Sequence, residues 1–438
     1  MISNKSEYSE AFVWIWLPGA IKPVVAGKLT LDGDKLIFNY GKSYLERKSA
    51  ISIYDGELPL KAGALPLLAA LNMPGCIRDA SPDAWGRRVL INKRLGLKGT
   101  DVDSAQLDEL TYLLESGSDR IGALDFQLSA TEYFPRSPVN ATLEELLQSA
   151  ERVEKGIPLT SELDQALHHG SSIGGARPKA LIEDGETKYI AKFSSSTDLY
   201  NVVKAEFISM RLANLVGLNA ATVSMKKSSN KDVLLIERFD RLHTGRGWQR
   251  KSMVSALTLL GLEEMMARYA SYQDLCEIIR HKFANASAAL KELFSRLVFN
   301  ILSGNTDDHA RNHAAFWDGQ MLILTPAYDI CPQARAGNEA SQAMLISGDN
   351  RMSRISACLE ASHHFLLSEK EAAAIIAHQI SAIGENWSSV CEEAELADTD
   401  RSLLWSRQFL NSFVFDDLEG EFAELAKIAS DVRSSKKA

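Results

Sequence analysis

No stretch of the sequence reaches the roughly 18 consecutive apolar residues that a membrane-crossing helix needs. The opening MISNKSEYSE also lacks the basic start and apolar centre of a secretion signal, so a cytoplasmic chain without membrane association is expected. Cysteine is scarce. Cys76, Cys276, Cys331, Cys358 and Cys391 are scattered with no C-x-x-C pair, which excludes a zinc knuckle, a redox dithiol and a disulfide framework and leaves reduced thiols. Positive charge is in deficit: 48 basic against 57 acidic residues give a net charge of −9, so no global field draws the chain onto nucleic acid or anionic lipid. Repeats and long low-complexity tracts are missing too, and only the tail SDVRSSKKA reads as frayed. What remains is a chain of 438 residues, 45% hydrophobic, with enough apolar content for two or three packed domains.

The chain changes character along its length. FVWIWL, AGKLTLDGDKLIFNY and SAISIY read as strands, with Asp32-Gly33-Asp34 as a hairpin turn, and predict a small antiparallel sheet or barrel. IRDASPDAWGRRVLINKRLG follows as a loop and a helix, with Ser81 or Asp83 as the cap and Arg87 and Arg88 on a solvated face. ATLEELLQSAERVEK has the spacing of an amphipathic helix. KALIE and KYIAKF flank Asp184-Gly185, a hairpin signal, and a helix from about Val202 to Val216 stops at Gly217. ATVSMK and DVLLIE then add two strands, so this region predicts an antiparallel sheet with one helix packed on it. Beyond Asp240 helices dominate. The clearest spans about 286–303, where Leu290, Leu293, Phe294, Leu297, Val298, Ile301 and Leu302 form one apolar stripe that ends at Gly304.

The chemistry gathers just after that helix. NTDDHARNH places Asp307, Asp308, His309, Asn312 and His313 within seven positions. Such a run suits a solvated turn, but an Asp followed five positions later by an Asn is also the spacing of phosphotransferase loops. There the Asp meets the substrate hydroxyl and the Asn holds magnesium. Asp307 and Asn312 fit, and Asp329, just after the strand candidate QMLILTP, supplies the second carboxylate that magnesium takes. A rival zinc site on His309 and His313 would need both on one helical face and a further ligand, and no cysteine is nearby.

A phosphotransferase also needs cations on the nucleotide. Lys192 ends the second hairpin strand and Glu206 follows on the next helix, the layout of a kinase Lys–Glu pair, although each alone would read as solvated. One hairpin earlier, SSIGGARPKA combines Gly174 and Gly175, which permit left-handed backbone, with Arg177 and Lys179. A linker is the default reading of a glycine pair, and the context favours a phosphate-holding loop.

Taken in order, AGKLTLDGDKLIFNY, RDASPDAWGRR, SSIGGARPKA, YIAKF, LLIERFDR, NTDDHARN and PAYD resemble the HipA family of bacterial serine/threonine kinase toxins over nearly the whole chain. The resemblance implies an α+β, bilobal protein-kinase-like fold with an N-terminal small antiparallel β subdomain and an all-helical C-lobe. The expected domains are 1–125 for that subdomain with its helix, 126–240 for the N-lobe with phosphate loop and ATP lysine, and 241–438 for the C-lobe. It further implies ATP and Mg²⁺ as cofactors, Asp307 as the catalytic aspartate with His309 supporting its loop, and Asn312 and Asp329 on magnesium. Lys192 would contact ATP phosphates, and Glu237 to Phe239 would form the hinge that holds adenine. Ser172, with Ser171 beside it, matches the autophosphorylated serine that switches such kinases off. Implied partners are a HipB-like helix-turn-helix antitoxin, which would give contact with DNA only indirectly, and a protein substrate, an aminoacyl-tRNA synthetase in characterised members.

Three features depart from the better-known members. Arg177 replaces a glutamine, Asp308 stands where glycine or arginine is commoner, and GRGWQRKSMVSALTLLG after the hinge follows the usual pattern loosely. Two other readings stand beside the toxin kinase. One is a pseudokinase or co-repressor acting through a DNA-bound antitoxin, against which the presence of Lys192, Asp307, Asn312 and Asp329 counts. The other is a lipid or small-molecule kinase, because phosphoinositide kinases share the Asp-x-His-x-x-Asn spacing.

Overall fold

A computed structural model describes residues 7–68, 70–95, 106–136, 141–155, 157, 177–195, 198, 200–335 and 337–435. The chain divides into two compact units, one of residues 1–197, 226–254 and 316–320, the other of residues 198–225, 255–315 and 321–438.

Hydrophobic alternation builds the first sheet of unit one, in the order β4-β3-β2-β1-β5: β1 (Glu10–Ile15), β2 (Val24–Asp32), β3 (Lys35–Tyr40), β4 (Ala64–Leu65) and β5 (Leu124–Gln127). Asp32 pairs with Lys35 across the predicted turn, where Gly33 takes φ 64°. SAISIY, in contrast, is no strand. Its backbone is satisfied by tyrosine hydroxyls instead: Ile53 N–H donates to Tyr40 at 2.9 Å, and the Tyr44 hydroxyl donates to the Ile51 carbonyl at 2.7 Å. The helix Ala84–Leu95 forms as expected, yet Arg87 is not solvated, since it grips Glu109 with two bonds of 2.6 and 2.8 Å and lies over the Tyr112 ring.

A second sheet holds β6 (Lys179–Asp184), β7 (Thr187–Phe193), β8 (Val223–Ser228) and β9 (Lys231–Glu237) in the order β6-β7-β9-β8. Asp184 pairs with Thr187 around Gly185 at φ 61°, the predicted hairpin. The helix Leu143–Glu154, started by a Thr142–Glu145 capping box, buries Leu146, Leu147, Ala150 and Val153 against Ala180, Ala191, Phe193, Val233 and Leu235. A hairpin of β10 (Arg241–Thr244) and β11 (Gly247–Arg250) follows β9.

Among its described residues unit two is mainly helical, with the start of β8, short strands at Ala314–Trp317, which begins in this unit, and Leu322–Leu324, and a few isolated bridges. The helix Val202–Leu215 groups here rather than with the antiparallel sheet: it packs on the long helix Glu369–Glu393, where Arg211 binds Glu393 at 2.9 Å, and Lys204 donates to the Glu395 carbonyl at 2.6 Å. At the centre runs the helix Ala286–Ser303, whose predicted stripe is buried throughout. All five cysteines are buried, and burial pushes the Cys276 and Cys391 thiols up to about 12.

Candidate functional site

The helix Ala286–Ser303 delivers the polar run to its place. Gly304 closes it in the left-handed region at φ 73°, and a Cβ there would lie 3.0 Å from the Gln408 carbonyl oxygen, so only glycine fits without displacement. The loop beyond is tied down along its length. Ala343 N–H donates to the Thr306 carbonyl (3.0 Å), the Tyr328 hydroxyl to the Arg311 carbonyl (2.7 Å), and Ala256 N–H to the His313 carbonyl (2.8 Å). Within the loop, the Asn312 amide donates to the Asp307 carbonyl at 3.2 Å, and Asn312 N–H to the His309 carbonyl at 2.8 Å.

This turn gives consecutive carboxylates opposite surroundings. Asp307 is exposed, whereas Asp308 is buried between Tyr272 and His313. His313 Nε2 lies 2.9 Å from Asp308 Oδ1, and the Tyr272 hydroxyl donates to Oδ2. Burial alone would raise the pKa of Asp308, but His313 and the hydrogen bonds from His313 and Tyr272 outweigh it and hold the carboxyl below its usual value. Asp307 moves the other way. Partial desolvation raises its pKa, against the pull of His309, and the carboxylates of Asp329 and Asp308 raise it further.

Asp329 is placed by unit two itself. A parallel bridge joins Ala220 to Ala327, with Ala327 N–H on the Asn219 carbonyl at 2.7 Å, and Arg296 holds the Thr325 carbonyl at 2.7 Å. Two residues on, Asp329 adopts φ 60°, the left-handed region that Asp enters more readily than most residues. Asp307, His309, Asn312 and Asp329 thus belong to one locally braced constellation. The Asn312 side chain spends its N–H on the loop, and no described group donates to its Oδ1, which leaves an oxygen donor beside two carboxylates, a set that suits magnesium. Among the described residues no three His, Cys, Asp or Glu side chains are grouped to hold a metal ion, and His313 Nε2 is engaged by Asp308.

In unit one the structure brings two predicted cations together. Lys179 on β6 and Lys192 on β7 are direct partners across the hairpin, so both project from the same face of the sheet, and they are 4% and 8% exposed. Trp85 fixes this corner by donating to the Lys179 carbonyl at 3.1 Å. Glu237 closes β9 and is exposed, and Phe239 stands edge-on to Phe316 at 5.9 Å. Glu206 is buried on the helix of unit two, so the two members of the expected Lys192–Glu206 pair belong to different units. Ser171, Ser172, Gly174 and Gly175 lie outside the described residues.

Sequence reasoning missed Tyr272, which reaches Asp308 and His313 from 36 and 41 residues away, and with it the structural use of Asp308 and His313. It also missed Asp119, Asp240 and Arg241, which form a buried ionic cluster around Arg238. The alternating charges of ERFDR were the available signal.

The HipA-like C-terminal domain profile matches residues 171–387, and the HipA N-terminal domain profile matches residues 18–127. The chain belongs to the HipA family. Y4mE of Sinorhizobium fredii, whose name marks it as a candidate kinase, is 26% identical over 342 residues, covering 72% of this chain and 76% of that one. The serine/threonine-protein kinase toxin HipA of Shewanella oneidensis is 29% identical over 184 residues, 36% of this chain and 42% of that one. A solved chain from the Shewanella oneidensis complex of HipA, HipB and operator DNA superposes with a TM-score of 0.67 at 19% identity, covering 97% of both chains. The HipA fold expected from sequence, a bilobal kinase-like α+β body with an N-terminal antiparallel subdomain, is therefore the fold of this chain. Among the described residues no helix is long and apolar enough to cross a membrane.

Proposed function

We propose that the chain is an ATP- and Mg²⁺-dependent protein serine/threonine kinase of the HipA toxin type. The observation that carries this reading is the bracing of Asp307, Asn312 and Asp329 into one group, with Asp307 open to solvent and its pKa raised by its neighbours. Kinship with proteins named as kinases supports it.

Asp307 would orient the substrate hydroxyl and receive its proton, a task helped by a carboxyl more basic than usual. His309 would steady the same loop. Asn312 and Asp329 would hold magnesium, which when bound offsets charge on the phosphates. Lys179 and Lys192, two desolvated cations on one face, suit a polyanion, and the Gly174-Gly175 loop would cover it. Glu206 would pair with Lys192, and the backbone from Glu237 to Phe239 would hold adenine. Phosphorylation of Ser172, or of Ser171 beside it, would switch the enzyme off. A HipB-like helix-turn-helix protein would be its antitoxin and its link to DNA, and a cytosolic aminoacyl-tRNA synthetase its substrate. The Shewanella oneidensis complex of HipA, HipB and operator DNA is the precedent for such a partner.

Phosphopeptide mapping after incubation with ATP and Mg²⁺, beside an Asp307→Asn control, tests the reading. Phosphate on Ser172 or Ser171 that is absent from the control is expected. An unmodified protein that binds ATP yet labels neither itself nor any protein in a cell extract would shift the reading to a binding module without transfer.

A further inference from the structure

Asp119 lies just upstream of β5, in the N-terminal part of unit one, yet its carboxylate is shared by three cations from the second sheet and the segment after it. Lys188 on β7 reaches Oδ2 at 2.7 Å, while Arg238 and Arg241 reach Oδ1 at 3.1 and 2.8 Å. The backbone after Asp119 joins the same cluster. Arg238 donates to the Arg120 carbonyl at 2.7 Å, Arg241 to the Gly122 carbonyl at 2.9 Å, and Gly122 N–H donates to Asp240 at 2.8 Å. Asp240 in turn binds Arg238 and Arg241, each at 2.8 Å.

The location of these residues gives the cluster its meaning. β7 and β9 pair Tyr189 with Glu237, and one step further Arg238 N–H meets the Lys188 carbonyl at 2.8 Å, which sets two cations side by side. Like charges at that spacing repel, and the Asp119 carboxylate binds both, with Glu183 also on Lys188 and Asp240 on Arg238. Arg238 is the middle residue of Glu237 to Phe239. The backbone proposed to hold adenine is thus gripped on either side by side chains anchored to Asp119 and Asp240.

We infer that Asp119 is a positioning residue for nucleotide binding: through Lys188, Arg238 and Arg241 it fixes the Glu237–Phe239 backbone, so that the N-terminal part of the chain sets the affinity for an adenine nucleotide. The inference rests on the kinase reading and adds to it a residue that touches no substrate. Full-length Asp119→Asn, shown folded by near-UV circular dichroism, is titrated with Mg·ATP by calorimetry and assayed for transfer at saturating ATP. About tenfold weaker binding is expected, with turnover at saturation within about twofold of the parent. Unchanged affinity in the folded variant overturns the inference, as does lost turnover with affinity kept. Should Asp119→Asn not fold, Asp119→Asn combined with Lys188→Met relieves the excess charge, and parental affinity in that protein is again a refutation. Absence of ATP binding in the parent itself would instead sink the kinase reading and take the inference with it.

Discussion

Asp307 and Asp308 share a peptide bond and face opposite environments, the first exposed, the second buried with its Oδ1 2.9 Å from His313 Nε2. The loop therefore has a working side and an anchoring side. Their isosteric variants should part company. Asp307→Asn is expected to lower phosphoryl transfer by orders of magnitude while leaving the melting temperature unchanged or slightly higher, because its carboxylate braces nothing and is disfavoured by its neighbours. Asp308→Asn should destabilise by about 2–3 kcal/mol, since it removes the charge from a buried pair, and should reduce transfer only through loop disorder. Paired melting curves and initial rates distinguish the two; equal stability losses would contradict this division.

Gly304 should tolerate no side chain. With φ at 73° and the Gln408 carbonyl 3.0 Å from a would-be Cβ, Gly304→Ala is expected to lose at least about 1 kcal/mol, read as a lower denaturant midpoint.

Lys192→Met is expected to lower kcat/KM for ATP by roughly a hundredfold, and Lys179→Met by a smaller factor, because the lysine assigned to the ATP phosphates would then remain. Steady-state kinetics over ATP concentration give both values.

The buried carboxylates Asp119 and Asp240 should cost stability only at acid pH. Burial would raise the carboxyl of Asp119, but Arg238, Arg241 and Lys188 hold it well below its usual value, and Arg238 and Arg241 do the same for buried Asp240. A carboxyl whose folded pKa lies below its unfolded value, about 3.9, stabilises fully above that value and loses the contribution as pH falls through the folded one. Melting temperature should thus show no loss from these groups between about pH 7 and 5 and a decline below about 4. In Asp119→Asn the acid decline should be shallower.

Local chemistry made part of this legible. The Asp184-Gly185 hairpin, the stripe from Leu290 to Leu302 and the Gly304 stop each depend on residues adjacent in sequence, and all formed where the pattern put them. Asp307 and Asn312, five apart, are also brought together locally, the Asn312 amide donating to the Asp307 carbonyl. Long-range partners were not legible. Ser49–Tyr54 has strand-like residues but spends its backbone bonds on Tyr40 and Tyr44, and Arg87 looked solvated until Glu109 was brought to it. The helix Val202–Leu215 was apolar enough to be placed correctly in the chain, yet its packing partner, Glu369–Glu393, lies more than 150 residues away.

The buried thiols turn the chain into its own reporter. Cys76 belongs to unit one, and Cys276, Cys331, Cys358 and Cys391 to unit two. An alkylating reagent can reach them only when their surroundings open, so the rate at which each acquires a mass tag records the opening frequency around it. Peptide-resolved tagging would then separate the breathing of one unit from that of the other without introducing a single label, and would show which of them a bound nucleotide quiets.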